Sequence, residues 1–320
     1  MKRLSIILAY VLLSFAAVVA SFSLLALTSS SAYAHEQDED RDGSDRNVNE
    51  TRNAKADGEV RIDNLAGTIK IHGWDKNQVR VTGTLGEEVD HLEVDSDDSG
   101  VSIRVVLPHG GRGNCEECSA DLEIDLPQAS RVEVSTVSAD VEAKDLTGTE
   151  QFGTVSGNLI LDSTPVRADI HSVSGDVTVS GSAKNARIIA NSVSGTVRVT
   201  GVDGSLHAES VSGDVKADDN RLSGVEMSST SGNLTFEGGV LKGGDYEFHN
   251  VSGDIVLILG ASPSARFDVS SFSGDIDNSF GPRPTRVSKY SPGMELHFTN
   301  GGGDAQVSAR TLSGDIRIND

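Results

Sequence analysis

One five-residue unit recurs so often that few architectures can accommodate this chain. It appears as Val137-Ser-Ala-Asp-Val141, Val155-Ser-Gly-Asn-Leu159, Val173-Ser-Gly-Asp-Val177, Val193-Ser-Gly-Thr-Val197 and Val211-Ser-Gly-Asp-Val215. Four more copies follow: Thr230-Ser-Gly-Asn-Leu234, Val251-Ser-Gly-Asp-Ile255, Phe272-Ser-Gly-Asp-Ile276 and Leu312-Ser-Gly-Asp-Ile316. Successive serines are 18, 18, 20, 18, 19, 21, 21 and 40 residues apart, and the last gap reads as two periods with Gly302-Gly-Asp-Ala305 as a degenerate copy inside it. The flanking Val and Ile residues alternate with polar ones, as in Val177-Thr-Val179 and Ile316-Arg-Ile318, so each unit reads as strand, tight bend, strand. Glycine would supply a positive φ at the bend, and Asp or Asn would bond the bend's own amides. One such unit cannot bury its own apolar face, so copies must stack.

The expected fold is therefore all-β: a single-chain, β-helix-like β-solenoid of 18–21-residue repeats, with its valines turned into a continuous dry column. A β-sandwich also uses short alternating strands, but it has no need for near-constant bend chemistry at near-constant spacing. Residues 131–320 form the regular part, with a Pro-containing loop near 280–294 around Pro282, Pro284 and Pro292. Residues 58–130 follow the same grammar more loosely, in Val60-Arg-Ile62, Gly67-Thr-Ile69-Lys-Ile71, Val79-Arg-Val81, Val101-Ser-Ile103-Arg-Val105 and Leu122-Glu-Ile124. At this period the stack would hold roughly 13 coils spaced about 4.8 Å apart. Its last coil would stop at Ile316-Arg-Ile318-Asn-Asp320 and offer open strand edges for end-to-end self-association.

The opening Ile62-Asp-Asn-Leu-Ala-Gly67-Thr-Ile-Lys-Ile-His-Gly-Trp74-Asp, together with the repeated Val-Ser-Gly-Asp-Val units, resembles the bacterial domain of unknown function 4097. That family of β-strand-repeat envelope proteins carries the label "putative adhesin". The resemblance covers roughly residues 58–320 and implies an exported β-solenoid; it brings no catalytic residues.

Export is also written at the N-terminus. Met1-Lys2-Arg3 precedes an apolar run from Leu4 to Leu27 and then Thr28-Ser-Ser-Ser-Ala32-Tyr33-Ala34, the layout of a signal peptide cleaved after Ala34. As a helix the run would reach roughly 36 Å, so the alternative is an inner-membrane anchor through residues 4–27. Either way the remainder would be periplasmic, extracellular or at the cell surface. Residues 35–57 are charged and poor in apolar side chains, and read as an acidic tether. The whole chain carries 48 acidic against 27 basic residues, a formal charge of −21. That excess argues against nucleic acid or anionic lipid as partner, since phosphate binding draws on Lys and Arg.

Candidate sites are few. Cys115 and Cys118, the chain's two cysteines, lie in a glycine-rich loop with His109. In an oxidising compartment such a pair closes as a disulfide; a redox or metal role lacks the helix start or the further ligands it would need. Asp38-x-Asp40-x-Asp42-Gly43 and Asp95-x-Asp97-x-Ser99-Gly100 begin like calcium loops, but their twelfth positions are Asn49 and Val106 rather than Glu. The repeat residues Asp140, Asn158, Asp176, Asp214, Asn233, Asp254, Asp275 and Asp315 are expected to cap turns along one edge. Adjacent carboxylates there would repel by only about 0.9 kcal/mol in water, so no metal is required. Trp74 is the sole Trp, the eight His are scattered, and no Ser stands in a G-x-S-x-G elbow. The expectation is a non-catalytic scaffold without cofactor, binding an envelope protein or glycan. The alternatives are a polysaccharide hydrolase or lyase on a β-helix and a self-assembling structural protein.

Overall fold

The computed structural model describes residues 46–108, 118–260, 262–288 and 292–320; among them it contains strands and turns and no helix. The signal segment 1–34 and residues 35–45 of the tether lie outside the described residues. No helix among the described residues is long and apolar enough to cross a membrane. The chain begins with β1 (Arg46–Asn53), the long bent β2 (Glu59–Trp74), β3 (Gln78–Leu85), β4 (His91–Ser96), β5 (Gly100–Val106), β6 (Ser119–Pro127) and the long bent β7 (Arg131–Lys144). The central strands are β8 (Thr149–Thr154), β9 (Leu159–Asp162), β10 (Arg167–Ser172), β11 (Val177–Ser180), β12 (Ala186–Ser192) and β13 (Val197–Thr200). They continue through β14 (Asp203–Ser210), the long bent β15 (Val215–Ser231), β16 (Leu234–Gly238), β17 (Asp245–Ser252) and β18 (Ile255–Ile258). The last six are β19 (Ala265–Ser273), β20 (Ile276–Asn278), β21 (Thr285–Arg286), β22 (Met294–Asn300), β23 (Ala305–Ser313) and β24 (Ile316–Asn319).

These strands stack in two parallel columns. The first column runs β5, the first half of β2, the first half of β7, β8, β10, β12, β14, the second half of β15, β17, β23 and β19. The second runs β6, the second halves of β2 and β7, β9, β11, β13, the first half of β15, β16, β18, β24 and β20. Each column thus holds eleven parallel strands; in the ten coils other than that of β5 and β6, whose connection includes residues outside the described ones, a Ser-Gly-Asp bend or its equivalent joins the two strands. The number falls short of thirteen because the N-terminal residues and the 40-residue gap also supply antiparallel end strands: β4 on β5, β3 on β6, β1 on β3 and β22 on β19.

Alternation fills the interior. Val177 and Val179 point inward from β11, Ile170 and Ala168 from β10, and the same positions recur coil after coil at essentially zero exposure. Fully burying one such aliphatic side chain stabilises by roughly 1.5–3 kcal/mol, so the repeated column is the main source of cohesion. Toward the C-terminal end the column widens to aromatics. Phe236 meets Tyr246 and Phe248 at centroid distances of 5.9 and 5.5 Å, and the buried Tyr246 hydroxyl donates to the Leu222 carbonyl at 2.6 Å.

Not every repeat valine belongs to this column. The aliphatic residue that closes each unit is buried (Val141, Leu159, Val177, Val197, Val215), but the valine that opens it points outward and is half-exposed or exposed. Spacing alone assigns both to the interior; the bend turns the chain between them and reverses which side faces in.

The order of coils in space departs from their order in the chain at both ends. β23 and β24, the last coil in sequence, lie between the coil of β17 and β18 and the coil of β19 and β20. The C-terminal strand is therefore paired on both sides, which removes the expected open edge at Ile316–Asp320. To reach that slot the chain leaves β20, returns as β22 along the outer edge of β19, and crosses over the start of β19 in a turn at Gly301–Asp304. Gly301 and Gly303 take φ of 59° and 66° there, which only glycine adopts freely. Asn300 donates to the Pro263 carbonyl (2.8 Å), and the Gly302 amide to Ser264 Oγ (2.9 Å). Gly302-Gly-Asp-Ala305 is thus a crossover turn and not a degenerate bend. At the other end, β2 is likewise enclosed between β5 and β6 on one side and β7 on the other.

Polarity alone places residues 46–53 in the tether, yet they form β1, antiparallel to β3. Only Val48 of that strand packs partly against the core, too little alternation to be read as a strand. Its side chains seal the end of the stack: Arg46 donates to the carbonyls of Val89 and Asp90, Arg52 to Val94 (3.1 Å), and nearby Lys55 to Asp98 (2.5 Å). Those carbonyls lie along β4 and its turns, where an open edge would otherwise invite pairing.

Candidate functional site

The bends between the two columns line up along one edge, and three rows of side chains run along it. The innermost row holds the small polar residue two places before each Ser-Gly: Asn64, Thr136, Thr154, Ser172, Ser192, Ser210, Ser229, Asn250, Thr311 and Ser271, all buried. Several of these donate to the bend carbonyl of a neighbouring coil: Ser192 to Gly175 (3.0 Å), Ser210 to Gly195 (3.2 Å), Ser229 to Gly213 (3.1 Å), Asn250 to Gly232 (2.7 Å) and Ser271 to Gly314 (2.9 Å).

The second row is formed by the predicted Asp and Asn positions, and it works between coils. Asp140 Oδ1 accepts the Asn158 amide (2.7 Å), Asn158 Oδ1 the Asp176 amide (3.1 Å) and Asp176 Oδ1 the Thr196 amide (2.7 Å). It resumes with Asp214 accepting from Asn233 (2.8 Å), Asn233 from Asp254 (3.0 Å), Asp254 from Asp315 (2.9 Å) and Asp315 from Asp275 (2.9 Å). Each side chain binds the equivalent amide one coil on, where sequence reasoning expects the bend's own amides. The two rows together clamp every bend to its neighbours, which explains the glycine. A Cβ on Gly175 would lie 1.9 Å from the Gly157 carbonyl oxygen, and one on Gly195 2.1 Å from that of Gly175. Close approach of backbones, more than positive φ, demands glycine here.

The third row faces solvent. In spatial order it reads Leu65, Val137, Val155, Val173, Val193, Val211, Thr230, Val251, Leu312 and Phe272, one residue per coil on neighbouring strands. Exposure is highest at Leu312 (50%) and Phe272 (58%); Val155 is also exposed, and the other valines and Leu65 are half-buried. Sequence reasoning missed both the inner polar row and the outward direction of this apolar row. The signal for the first was present in the small polar residue that precedes each Val-Ser-Gly.

The outer face of the first column carries a second organised feature. Asp169, Ile189, His207, Glu226, Glu247, Ser308, Asp268 and His297 form one cross-strand line. His207 is held between two carboxylates, with Glu226 3.0 Å from Nδ1 and Glu209 3.3 Å from Nε2. Burial pulls its pKa down, but the two carboxylates outweigh that and push it up to about 9. His171 lies 2.6 Å from Asp169, His249 3.4 Å from Glu247 and His297 3.5 Å from Asp268. These are rows of His–carboxylate contacts on the outer face. Among the described residues no group of three or more His, Cys, Asp or Glu could hold a metal ion.

The remaining sequence candidates resolve simply. Cys118 is disulfide-bonded; Cys115, the chain's other cysteine, lies outside the described residues with His109 and the Asp38–Gly43 motif. Asp97 Oδ1 is taken up by its own turn, accepting from the Ser99 amide (2.7 Å), the Ser99 hydroxyl (2.5 Å) and the Gly100 amide (3.1 Å), which holds its carboxyl below the usual range. Trp74 donates from Nε1 to the Gln78 carbonyl (2.8 Å), and Lys76 and Arg80 sit over its ring at 4.5 and 5.3 Å, so its face is already occupied.

The family description Toastrack DUF4097 matches residues 26–238 and again 223–319. The chain belongs to this family. Its two matches meet within the coils of β15 and β16, where the solenoid continues without a break. The Toastrack chain is also similar to three solved structures at low identity. One is described as a "putative adhesin" from Bacteroides fragilis, with 12% identity over 86% of this chain and 98% of that one and a TM-score of 0.41. Another is a "putative cell adhesion protein" from Clostridium sporogenes, with 9% identity over 86% and 99% and a TM-score of 0.32. A "putative lipid binding protein" from Parabacteroides distasonis has 10% identity over 84% and 96%, with a TM-score of 0.25. No curated protein matches the chain.

Proposed function

We propose that this Toastrack protein is exported and acts in the bacterial envelope as a non-catalytic, adhesin-like binding scaffold that takes an envelope protein or glycan along its bend edge. The observation that supports this most is the solvent-facing apolar row from Leu65 to Phe272. The fold gains nothing from turning an apolar side chain outward in nine of these ten coils, and large exposed apolar strips mark interaction surfaces. The row is also preorganised. Each of its residues follows a buried Ser, Thr or Asn, and the bend beyond it is tied to a neighbour by the Asp and Asn ladder, so little order has to be gained on binding. The leader at residues 1–34 supports export, to the periplasm or the cell surface, with an inner-membrane anchor through residues 4–27 as the alternative form. The net charge of −21 disfavours nucleic acid as the ligand.

The test compares binding of the purified protein and of a Val173→Asp/Val193→Asp variant to isolated envelopes of the producing bacterium. Both valines are only half-buried, so the variant keeps its fold by circular dichroism. Loss of binding is the expected result. Undiminished binding, or turnover of envelope polysaccharide by the wild-type protein, contradicts the proposal.

A further inference from the structure

One stretch of the outer apolar row has a spacing and a charge that restrict what can lie along it. Five successive coils each present a valine there: Val137, Val155, Val173, Val193 and Val211. Val155 is exposed and the other four are half-buried; Thr230 on the next coil ends the aliphatic run. On the second-column side an exposed serine follows each valine, and beyond it comes the ladder position. That position is a carboxylate on alternate coils, at Asp140, Asp176 and Asp214, with Asn158 and Thr196 between them. Each aspartate uses Oδ1 to accept an amide of a neighbouring coil. Lys216 is 3.9 Å from Asp214 Oδ2, whereas among the described residues neither Asp140 nor Asp176 has an ion-pair partner. On the first-column side the same coils carry Ser135, Gly153, His171, Asn191 and Glu209, and Glu209 is 3.3 Å from His207. The strip is therefore aliphatic along its centre and carries unmatched negative charge along one flank.

Coils lie about 4.8 Å apart, so the five valines span about 19 Å and the three carboxylates recur about every 9.6 Å. An amphipathic α-helix laid along the stack presents an apolar level about every 5.3 Å, and any one flanking position recurs once per heptad, about every 10.5 Å. Over five rungs the two spacings drift apart by only about 2 Å, less than half a rung. Other occupants fit worse. Same-face side chains of an extended peptide recur about every 6.7 Å and lose register by about 2 Å at each rung. A glycan finds no aromatic ring on these rungs to stack against. A second copy would repeat the spacing, but it brings a further formal charge of −21 and its own row of carboxylates to a strip that is already acidic. The unmatched carboxylates call instead for cations on one flank of the occupant.

We infer, resting on the reading of the bend edge as a binding surface, that the stretch from Val137 to Val211 docks an amphipathic α-helix of a partner protein. The apolar heptad seam of that helix lies on the valines, and a Lys or Arg once per heptad faces Asp140, Asp176 and Asp214. Apolar anchors at helical spacing laid on an aliphatic surface are a recurring mode of peptide recognition. The two flanks of a heptad seam exchange sides when the helix is reversed, so cations on one flank alone meet the acidic side in a single direction along the stack.

The test titrates the full chain into a labelled, end-capped peptide of three heptads, with Leu at a and d, Lys at e and Gln or Ala elsewhere, dilute enough to be monomeric, and reads fluorescence anisotropy. This peptide should bind saturably and at least about tenfold more tightly than its counterpart with Glu at e, an advantage that shrinks as salt rises. Asp176→Asn should weaken binding severalfold while keeping the ladder, because Asn158 and Asn233 fill the same position and accept the same amide. Asp277→Asn removes an equal charge from an exposed position on β20 and should change nothing. On isolated envelopes, protease treatment should abolish capture of the protein and periodate oxidation of glycans should spare it. No binding of the Lys peptide, equal affinity for the Lys and Glu peptides, or an Asp176→Asn protein that binds like wild type overturns the inference. Envelope binding that is lost in Val173→Asp/Val193→Asp but is destroyed by periodate and not by protease also overturns it, and leaves the bend edge as a glycan surface. A concentration-dependent dimer in sedimentation, abolished by the same double substitution, overturns it in favour of a second copy. Undiminished envelope binding by that variant instead removes the reading of the bend edge on which the helix rests.

Discussion

Replacing Glu150 by Gln should change how stability depends on pH, and the size of the change follows from its surroundings. Burial is the main cause that pushes the Glu150 carboxyl up from 4.5 to about 7, with the Ser163 hydroxyl opposing it. An acid whose pKa is higher folded than unfolded holds its proton more tightly in the native state. Its contribution is fully present below pH 4.5 and is lost as pH rises through about 7. A tenfold difference in proton affinity between the folded and unfolded chain is worth about 1.4 kcal/mol, so ionising Glu150 should weaken the fold by about 3 kcal/mol between pH 5 and pH 8.5. The other carboxylates and His207 titrate in both proteins and cancel in the comparison. The assay is urea unfolding of wild type and Glu150→Gln at half-unit steps of pH, followed by circular dichroism. The difference between the two proteins should grow in favour of Gln from about pH 4.5 to about pH 7 and level off above that. Glu150→Val, which restores the aliphatic line between Val132 and Ala168, should stabilise at every pH and most at the alkaline end. Parallel curves for wild type and Glu150→Gln would show that the carboxyl is already solvated or paired, and the reasoning from its burial would fail.

Three further outcomes are expected. Gly175→Ala should destabilise by several kcal/mol, since its Cβ would meet the Gly157 oxygen at 1.9 Å and coils joined by two ladders cannot separate locally; Gly239→Ala, with nothing within 4 Å, should leave the unfolding midpoint unchanged within error. Ser192→Ala removes the donor to the Gly175 carbonyl and should lower stability by about 1 kcal/mol, whereas a neutral result would mean that the inner polar row is incidental. The His207 imidazole should titrate near 9 in NMR, above its ordinary 6.5, with its stabilising contribution lost as pH climbs through that value; a midpoint near 6.5 would show that Glu209 and Glu226 do not hold it.

Much of the fold was legible because its dominant signal is local. The pattern apolar, Ser, Gly, Asp, aliphatic reports a bend at each occurrence, and the period reports stacking. Val177, Val197 and Val215 could be placed in the core from alternation alone. The paired Val173, Val193 and Val211 could not, because a period-two rule does not survive the reversal at the bend. Coil order was hidden for another reason. Val251-Ser-Gly-Asp-Ile255, Phe272-Ser-Gly-Asp-Ile276 and Leu312-Ser-Gly-Asp-Ile316 are chemically interchangeable, so nothing in them says which neighbours which. The crossover at Gly301–Asp304 decides it, and there the positive-φ glycines looked like one more repeat. β1 was missed because an end strand that caps with Arg46 and Arg52 has little apolar alternation to show. Glu150 lies outside any motif, and only the register that sets it between Val132 and Ala168 marks it as unusual.

The two-column stack with its enclosed C-terminal coil is tested most directly by engineered cysteine pairs at the bends, with the linkages mapped by peptide mass. Asp254 and Asp315 lie on neighbouring coils, as do Asp315 and Asp275, while Asp254 and Asp275 are separated by a whole coil. Neighbouring coils lie within the roughly 4.4–6.8 Å Cα separation that a disulfide tolerates, and coils two apart do not. Cysteines at 254 and 315, and at 315 and 275, should therefore oxidise to disulfides readily, and the 254 and 275 pair should remain reduced. A disulfide between 254 and 275 with none between 254 and 315 would mean that the coils follow chain order, and the architecture described would be wrong.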